Sequence, residues 1–479
     1  MNTKALFQYR KAAALVVSGT LLLGLMTGFG SAVAYAEDIS AVTGSSVSDS
    51  ISNSADGEHA ITADGESASY AHITVTKTGD VSGDEADFYG SNSAVFATNG
   101  AELTLSAMTV STDGTHANAV FSYGEGTVVN ISDSVIETTG NCSGGLMTTG
   151  GGTMNAENLT IHTTGNSSAA IRSDRGGGTV NVSGGSYTTD GTGSPVIYST
   201  ADITVSDAEL TSTASQGVVV EGRNSVTLND VVLTADNSSK NSDKSSYYQA
   251  VMIYQSMSGD AAQGLATFTM NGGSLLNKNG DVFFVNNTSA AVELSRAEIV
   301  NEDEEGVFLR AAAAGWGREG SNGGHVTLTA AEQEINGDIL VDEVSTLNMI
   351  LKDGSSFIGS INPDEPGGEV YVELTEGANW TLTGDSYIAS LTCDADSIDL
   401  NGYTLYVNDV VYEEGSASEG EAIEAEVSEE DAHGMPGDRP EGMEEPPEGA
   451  GEPPQGMGEP PEGGKPGDGN PPPAKPGSN

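Results

Sequence analysis

The chain has 479 residues, with 69 Asp and Glu against 17 Lys and Arg, a formal net charge of −52. A charge of that sign and size repels nucleic acid and anionic lipid, so neither is an expected partner. Only two cysteines are present, which excludes a disulfide-stapled fold.

Lys4, Arg10 and Lys11 precede an apolar run from Ala12 to Met26, and Ala34-Tyr35-Ala36 follows as a small-residue cleavage signal. This is the pattern of a secretory signal peptide over 1–36. The mature chain is then expected to begin at Glu37 and to be secreted, extracellular or cell-surface or cell-wall associated. No later segment is apolar enough to span a membrane. Residues 37–65 read as an N-terminal lead-in or cap.

A repeated phrase follows. Thr127-Val128-Val129-Asn130-Ile131, Thr153-Met154-Asn155-Ala156-Glu157 and Thr179-Val180-Asn181-Val182-Ser183 alternate apolar and polar residues, as half-buried strands do. Further short apolar runs precede each phrase, such as Ala119-Val120-Phe121 and Val218-Val219-Val220, with Gly, Asn, Asp and Ser between them. The apolar slots Leu103, Val129, Met154, Val180, Ile203 and Val226 recur at steps of 26, 25, 26, 23 and 23. Near-constant steps of this length predict coils that stack on their own copies rather than a hairpin meander. A coil of about 25 residues with three strands resembles the right-handed parallel β-helix of the pectate-lyase-like superfold, and the likeness covers 66–412. The expected fold is therefore all-β: a single-stranded right-handed parallel β-helix of about 23–26 residues per coil, followed by a disordered tail.

Several residues within the coils invite a reading. Thr138-Thr139, Thr163-Thr164 and Thr188-Thr189 are expected to form a ladder on one face. Cys142 and Cys393 are about ten coils apart, some 45–50 Å, far beyond disulfide reach. Arg172-Ser173-Asp174-Arg175 combines two cations with a carboxylate before Gly176-Gly177-Gly178, and reads as a solvated turn or a binding turn. The segment Arg310 to His325 interrupts the repeat and carries Arg310, Trp316, Arg318 and His325. An insertion off a rigid scaffold is a usual place for binding groups, and an aromatic beside a cation can stack on a sugar. Trp316 can equally be a packed residue, and Trp380 reads as core.

Beyond residue 412 the composition changes. Thirteen of the sixteen prolines lie at or beyond Pro436, and Gly and Glu fill the space between them. Such a segment buries too little to offset the entropy of ordering, so 413–479 is expected to be a disordered acidic tail.

Gly217-Val218-Val219-Val220-Glu221-Gly222, Tyr254-Gln255-Ser256-Met257 and Gly315-Trp316-Gly317, together with the coils from Ala94 to Leu233, resemble secreted adhesin-like β-helix proteins of Gram-positive anaerobes. The resemblance implies the fold and a secreted or surface location; that family has no established activity from which a reaction could be carried over. The polygalacturonase-like set Asn-Thr-Asp, Asp-Asp, Gly-His-Gly and Arg-x-Lys is absent, and no zinc-finger spacing occurs. No cofactor is expected. Glu302-Asp303-Glu304-Glu305 and Asp394-Ala395-Asp396 offer at most diffuse calcium binding, because the second carries Asp399 where a calcium loop needs its turn glycine. The expected function is non-enzymatic: an adhesin-like protein presenting an acidic Ser/Thr/Asn-rich surface to an extracellular glycan or a host or cell-surface component. The alternative is a polysaccharide lyase, glycoside hydrolase or carbohydrate-binding module with its groove near Arg310–His325.

Overall fold

The computed structural model describes residues 49–424 except 241, 243, 257 and 365. The segment 1–36 read as a signal peptide and most of the Pro/Gly/Glu segment thus lie outside the described residues. Strands stack in parallel along the whole described chain, as a parallel β-helix.

Each coil has three strand positions. The first builds an eleven-stranded sheet from Ile61–Asp64 to Ile339–Val341. The second and third belong to one 21-stranded sheet, because Gly152–Thr163 and Gly178–Thr189 run through the corner between them unbroken. A single left-handed residue turns that corner, Asn158 within the unbroken Gly152–Thr163 and Asp133, Asp207 and Asp230 between separate strands, all with φ near +50°. These are the side chains that tolerate such backbone best after glycine.

The core is a set of inward ladders. Leu103, Val129, Met154, Val180, Ile203 and Val226 pair rung by rung, and the ladder runs on through Phe268, Val292, Leu328, Met349, Val372 and Leu391. A second ladder crosses the eleven-stranded sheet, with Val120, Leu146, Ile171, Ile197, Val218 and Val251 at its centre. Trp380 is fully buried and its Nε1 donates to Gly359 O at 2.9 Å, the core role its strand pattern predicted.

The third turn is packed from small residues. Ser168 donates to Gly140 O at 3.0 Å while its Oγ accepts from Ser143 N at 2.9 Å; Ser143 and Ser194 repeat the first bond one coil away on either side. At Gly140, Gly165 and Gly191 a methyl group would overlap the carbonyl of the matching glycine in the preceding coil, so these three positions admit only glycine.

The structure changes three sequence expectations. First, the threonine ladder faces inward. Thr138, Thr163 and Thr189 are buried, and their hydroxyls donate to Ser143 O, Ser168 O and Ser194 O at 2.5–2.6 Å. Its third rung is Thr189, because Thr188 pairs with His162. Second, parallel pairing begins inside the assigned lead-in: Asp49–Asn53 pairs with Ile73–Lys77, since Ile51 fills the slot above Val75. Third, residues 413–424, assigned to the tail by composition, run back against the coils. Ser418 bridges Cys393, and the Asn348 side chain holds both the N–H and the carbonyl of Ile423. Just before this strap, Leu405–Val407 and Val410–Val411 form an antiparallel hairpin.

Candidate functional site

The middle-strand step grows from 23–26 residues to 42 between Val226 and Phe268 and 36 between Val292 and Leu328. The extra chain forms segments that lie over the outer side of the eleven-stranded sheet, as does the earlier insertion 78–93 with its short helix Asp84–Asp87. Beneath them Val219, Met252, Tyr254, Phe284 and Ala312 form a second buried cluster, with Tyr198, Tyr247 and Trp316 at its margin.

Ion pairs fasten these covers. Arg172 sits on the outward side of its strand and pairs with Asp174 at 2.7 Å. Arg175 reaches Asp84 at 3.0 Å and Asp260 at 2.5 Å, and its guanidinium lies 3.7 Å over the Phe88 ring. This turn therefore ties the insertion 84–88 and the loop around 260 to one coil. Arg310 pairs with Asp281 through Nε at 2.6 Å and Nη2 at 3.2 Å, and covers the Tyr247 ring at 4.3 Å. Burial pushes the Asp174 carboxyl up, and Arg172 works against it. Deeper still, Tyr254 donates to Glu221 Oε2 at 3.1 Å and Tyr198 donates to the same oxygen. Burial raises the Glu221 carboxyl, and the hydrogen bonds from Ser256 and the two tyrosines oppose that rise.

The segment 310–325 divides. Arg310 belongs to the clamp just described, and half-buried Trp316 packs edge-on against Tyr254 at 5.1 Å. Arg318 and His325 line a cleft of about 870 Å³. Its floor is a row set by strand register: Ser289 pairs with His325, His325 with Thr346, and Thr346 with Glu369. His325 Nδ1 lies 3.1 Å from Thr346 Oγ1. The Gly317–Gly323 loop with exposed Arg318 makes one wall, and Glu343 and Glu424 stand at the rim.

A second, shallower groove of about 650 Å³ runs along the outer corner of the 21-stranded sheet. Asn181 donates to Asn155 at 3.0 Å and Asn155 to Asn130 at 2.9 Å, a side-chain ladder that the phrase repeat carries in its sequence.

One cluster escaped the sequence reading. Asp87, His116 and Cys142 bring one donor atom each within 4.8 Å of one another. His116 Nδ1 lies 2.9 Å from Asp87 Oδ1. Contact with Asp87, and then with Cys142, raises the His116 imidazole to about 9. Burial drives the Asp87 carboxyl up, but His116, Arg172 and Arg175 outweigh it and leave the group below its usual range. The signal was present in the repeat: Gly114-Thr115-His116 and Gly140-Asn141-Cys142 align, which puts histidine and cysteine in one slot of adjacent coils. Asp87 comes from an insertion with no repeat partner and carries no such signal. Both cysteines are free thiols.

Among the described residues no helix is long and apolar enough to cross a membrane. Comparison with protein-family models, curated proteins and solved structures gave no match. The class defined here is that of the parallel β-helix protein with an insertion-covered outer face.

Proposed function

We propose that the chain is a non-enzymatic, adhesin-like extracellular β-helix protein that holds a glycan in the cleft beneath the Gly317–Gly323 loop. The observation that carries this reading is the row Ser289, His325, Thr346 and Glu369, four hydrogen-bonding side chains on consecutive coils. Parallel strands space such a row at about 4.8 Å, close to the length of one pyranose unit. The row is rigid because its backbone is locked in the ladder, so binding orders little. Arg318 supplies a cationic wall, while Glu343, Glu369 and Glu424 disfavour a uronate-rich chain and suit neutral or amino sugars.

A glycan array with the purified full chain tests this. The expected result is binding to neutral or amino-sugar oligosaccharides that weakens in Arg318→Ala and in Thr346→Ala, with unchanged melting temperatures. Trp316→Ala is expected to lower the melting temperature through its lost contact with Tyr254. Binding that survives both Arg318→Ala and Thr346→Ala moves the site to the Asn130–Asn181 groove. Release of reducing or unsaturated sugar overturns the non-enzymatic reading.

A further inference from the structure

We propose that Asp87, His116 and Cys142 form a binding site for one borderline-soft divalent metal ion of the zinc class. The set joins a thiol, an imidazole and a carboxylate, the donors that Zn²⁺ and its neighbours select over Ca²⁺ and Mg²⁺. Their placement is imposed by the fold. His116 and Cys142 occupy one turn slot in adjacent coils, both with φ of +54°. Their amides donate to Asn141 O and Asn166 O of the following coil, at 2.9 and 2.8 Å. Asp87 ends the short helix that crosses this edge and supplies the third donor.

The dimensions suit a metal. Bonds of about 2.0–2.3 Å in a tetrahedron place donors about 3.3–3.8 Å apart. The donors here span 2.9 Å to at most 4.8 Å, so side-chain rotations alone reach that spacing. Binding displaces the protons of the His116 imidazole and the Cys142 thiol, after which Asp87 and the thiolate offer two negative charges to a dication. Arg172 and Arg175 act on Asp87 only through space, since their direct pairs are to Asp174 and to Asp84 and Asp260. Asp87 and Cys142 are half-exposed, which gives an ion a way in, while buried His116 anchors the site. Three protein donors leave a fourth position for water or a ligand atom. The site is independent of the cleft proposed above for glycan.

The test uses the reduced, chelator-treated full chain, titrated with Zn²⁺ by calorimetry and with Co²⁺ by absorption. One-to-one binding is expected, with a thiolate-to-cobalt charge-transfer band and with excess Ca²⁺ unable to displace the ion. Cys142→Ser and Asp87→Asn are expected to weaken it by about tenfold or more and Cys142→Ser to remove the band, with Cys393→Ser unchanged. Alkylation of Cys142 should slow when Zn²⁺ is added. Absence of a stoichiometric site overturns the proposal, as does a site retained in both variants or a cobalt spectrum without the thiolate band. If Asp87→Asn lowers the melting temperature while the wild-type chain binds no Zn²⁺, the cluster is a structural ion pair and the proposal fails.

Discussion

Phe283 and Phe284 are neighbours in one strand, both fully buried, yet they belong to different interiors. Phe283 points into the coil and packs edge-on against Phe268 and Phe308. Phe284 points outward into the cluster with Met252 and Tyr254, under Tyr247 and the 312–323 segment. The inner side of this sheet is a ladder of Val, Ile, Leu and Phe. The outer side mixes aromatic rings with Glu221 and the Arg172–Asp174 and Arg310–Asp281 pairs. The difference teaches that stacking alone makes the inner core, whereas the outer core exists only where an insertion covers it, and there buried charge is tolerated because each group has a partner.

The sharpest break of this comparison is a charge on each side. Val251→Asp puts an unpaired carboxylate on the inner ladder and is expected to cost about 3–5 kcal/mol or more in chemical denaturation. Asp281, equally buried but outside, is expected to cost as much only when Arg310 is removed with Arg310→Met. A small loss in the first or none in the second would show that the two sides do not differ. Next in size, Phe283→Ala and Phe284→Ala are each expected to cost about 3–5 kcal/mol. Replacing 313–321 by a short glycine linker should shrink the second loss and leave the first intact; equal losses in that background would mean the outer cluster does not depend on its cover.

Smaller still is a pH effect. The Glu221 carboxyl is raised by burial, so the folded state holds its proton to higher pH than the unfolded chain. Its stabilising share is therefore complete below the unfolded value and lost as pH rises through the folded one. The melting temperature of Glu221→Gln, compared with wild type, should gain as pH rises above the ordinary carboxylate range. A constant difference would show that Glu221 titrates normally. The smallest effect is expected where the outer face is bare: Asn181 is exposed, and Asn181→Asp should change stability by about 0.5 kcal/mol or less.

The coil was legible because its signal is local and repeated. The slots Leu103 to Val226, read by spacing alone, are the rungs of the observed ladder. The threonine column is legible as a ladder but not in direction, because Thr–Thr pairs look alike whichever member turns inward; the buried serine carbonyls decide it. Arg172, Asp174 and Arg175 do form a tight group, but its partners Asp84, Phe88 and Asp260 lie 85–91 residues away, and only folding reveals a clamp. Arg318 and His325 share a cleft; Arg310 and Trp316, equally conspicuous in sequence, face the covered cluster. Contacts between an insertion and a coil have no period, and so leave no trace in spacing.

The strap formed by residues 413–424 also sets how the protein responds to force. A pull applied beyond residue 424 reaches first the bonds between Asn348 and Ile423, then Glu421 with Ser390 and Gly420 with Thr392, and then the pair of backbone bonds joining Ser418 to Cys393. These contacts lie in series along an antiparallel edge, so tension opens them one after another like a zip, while the coils beneath stay loaded across many parallel strands at once. The strap thus yields before the ladder does, and the chain gains slack at its C-terminal side without losing its core.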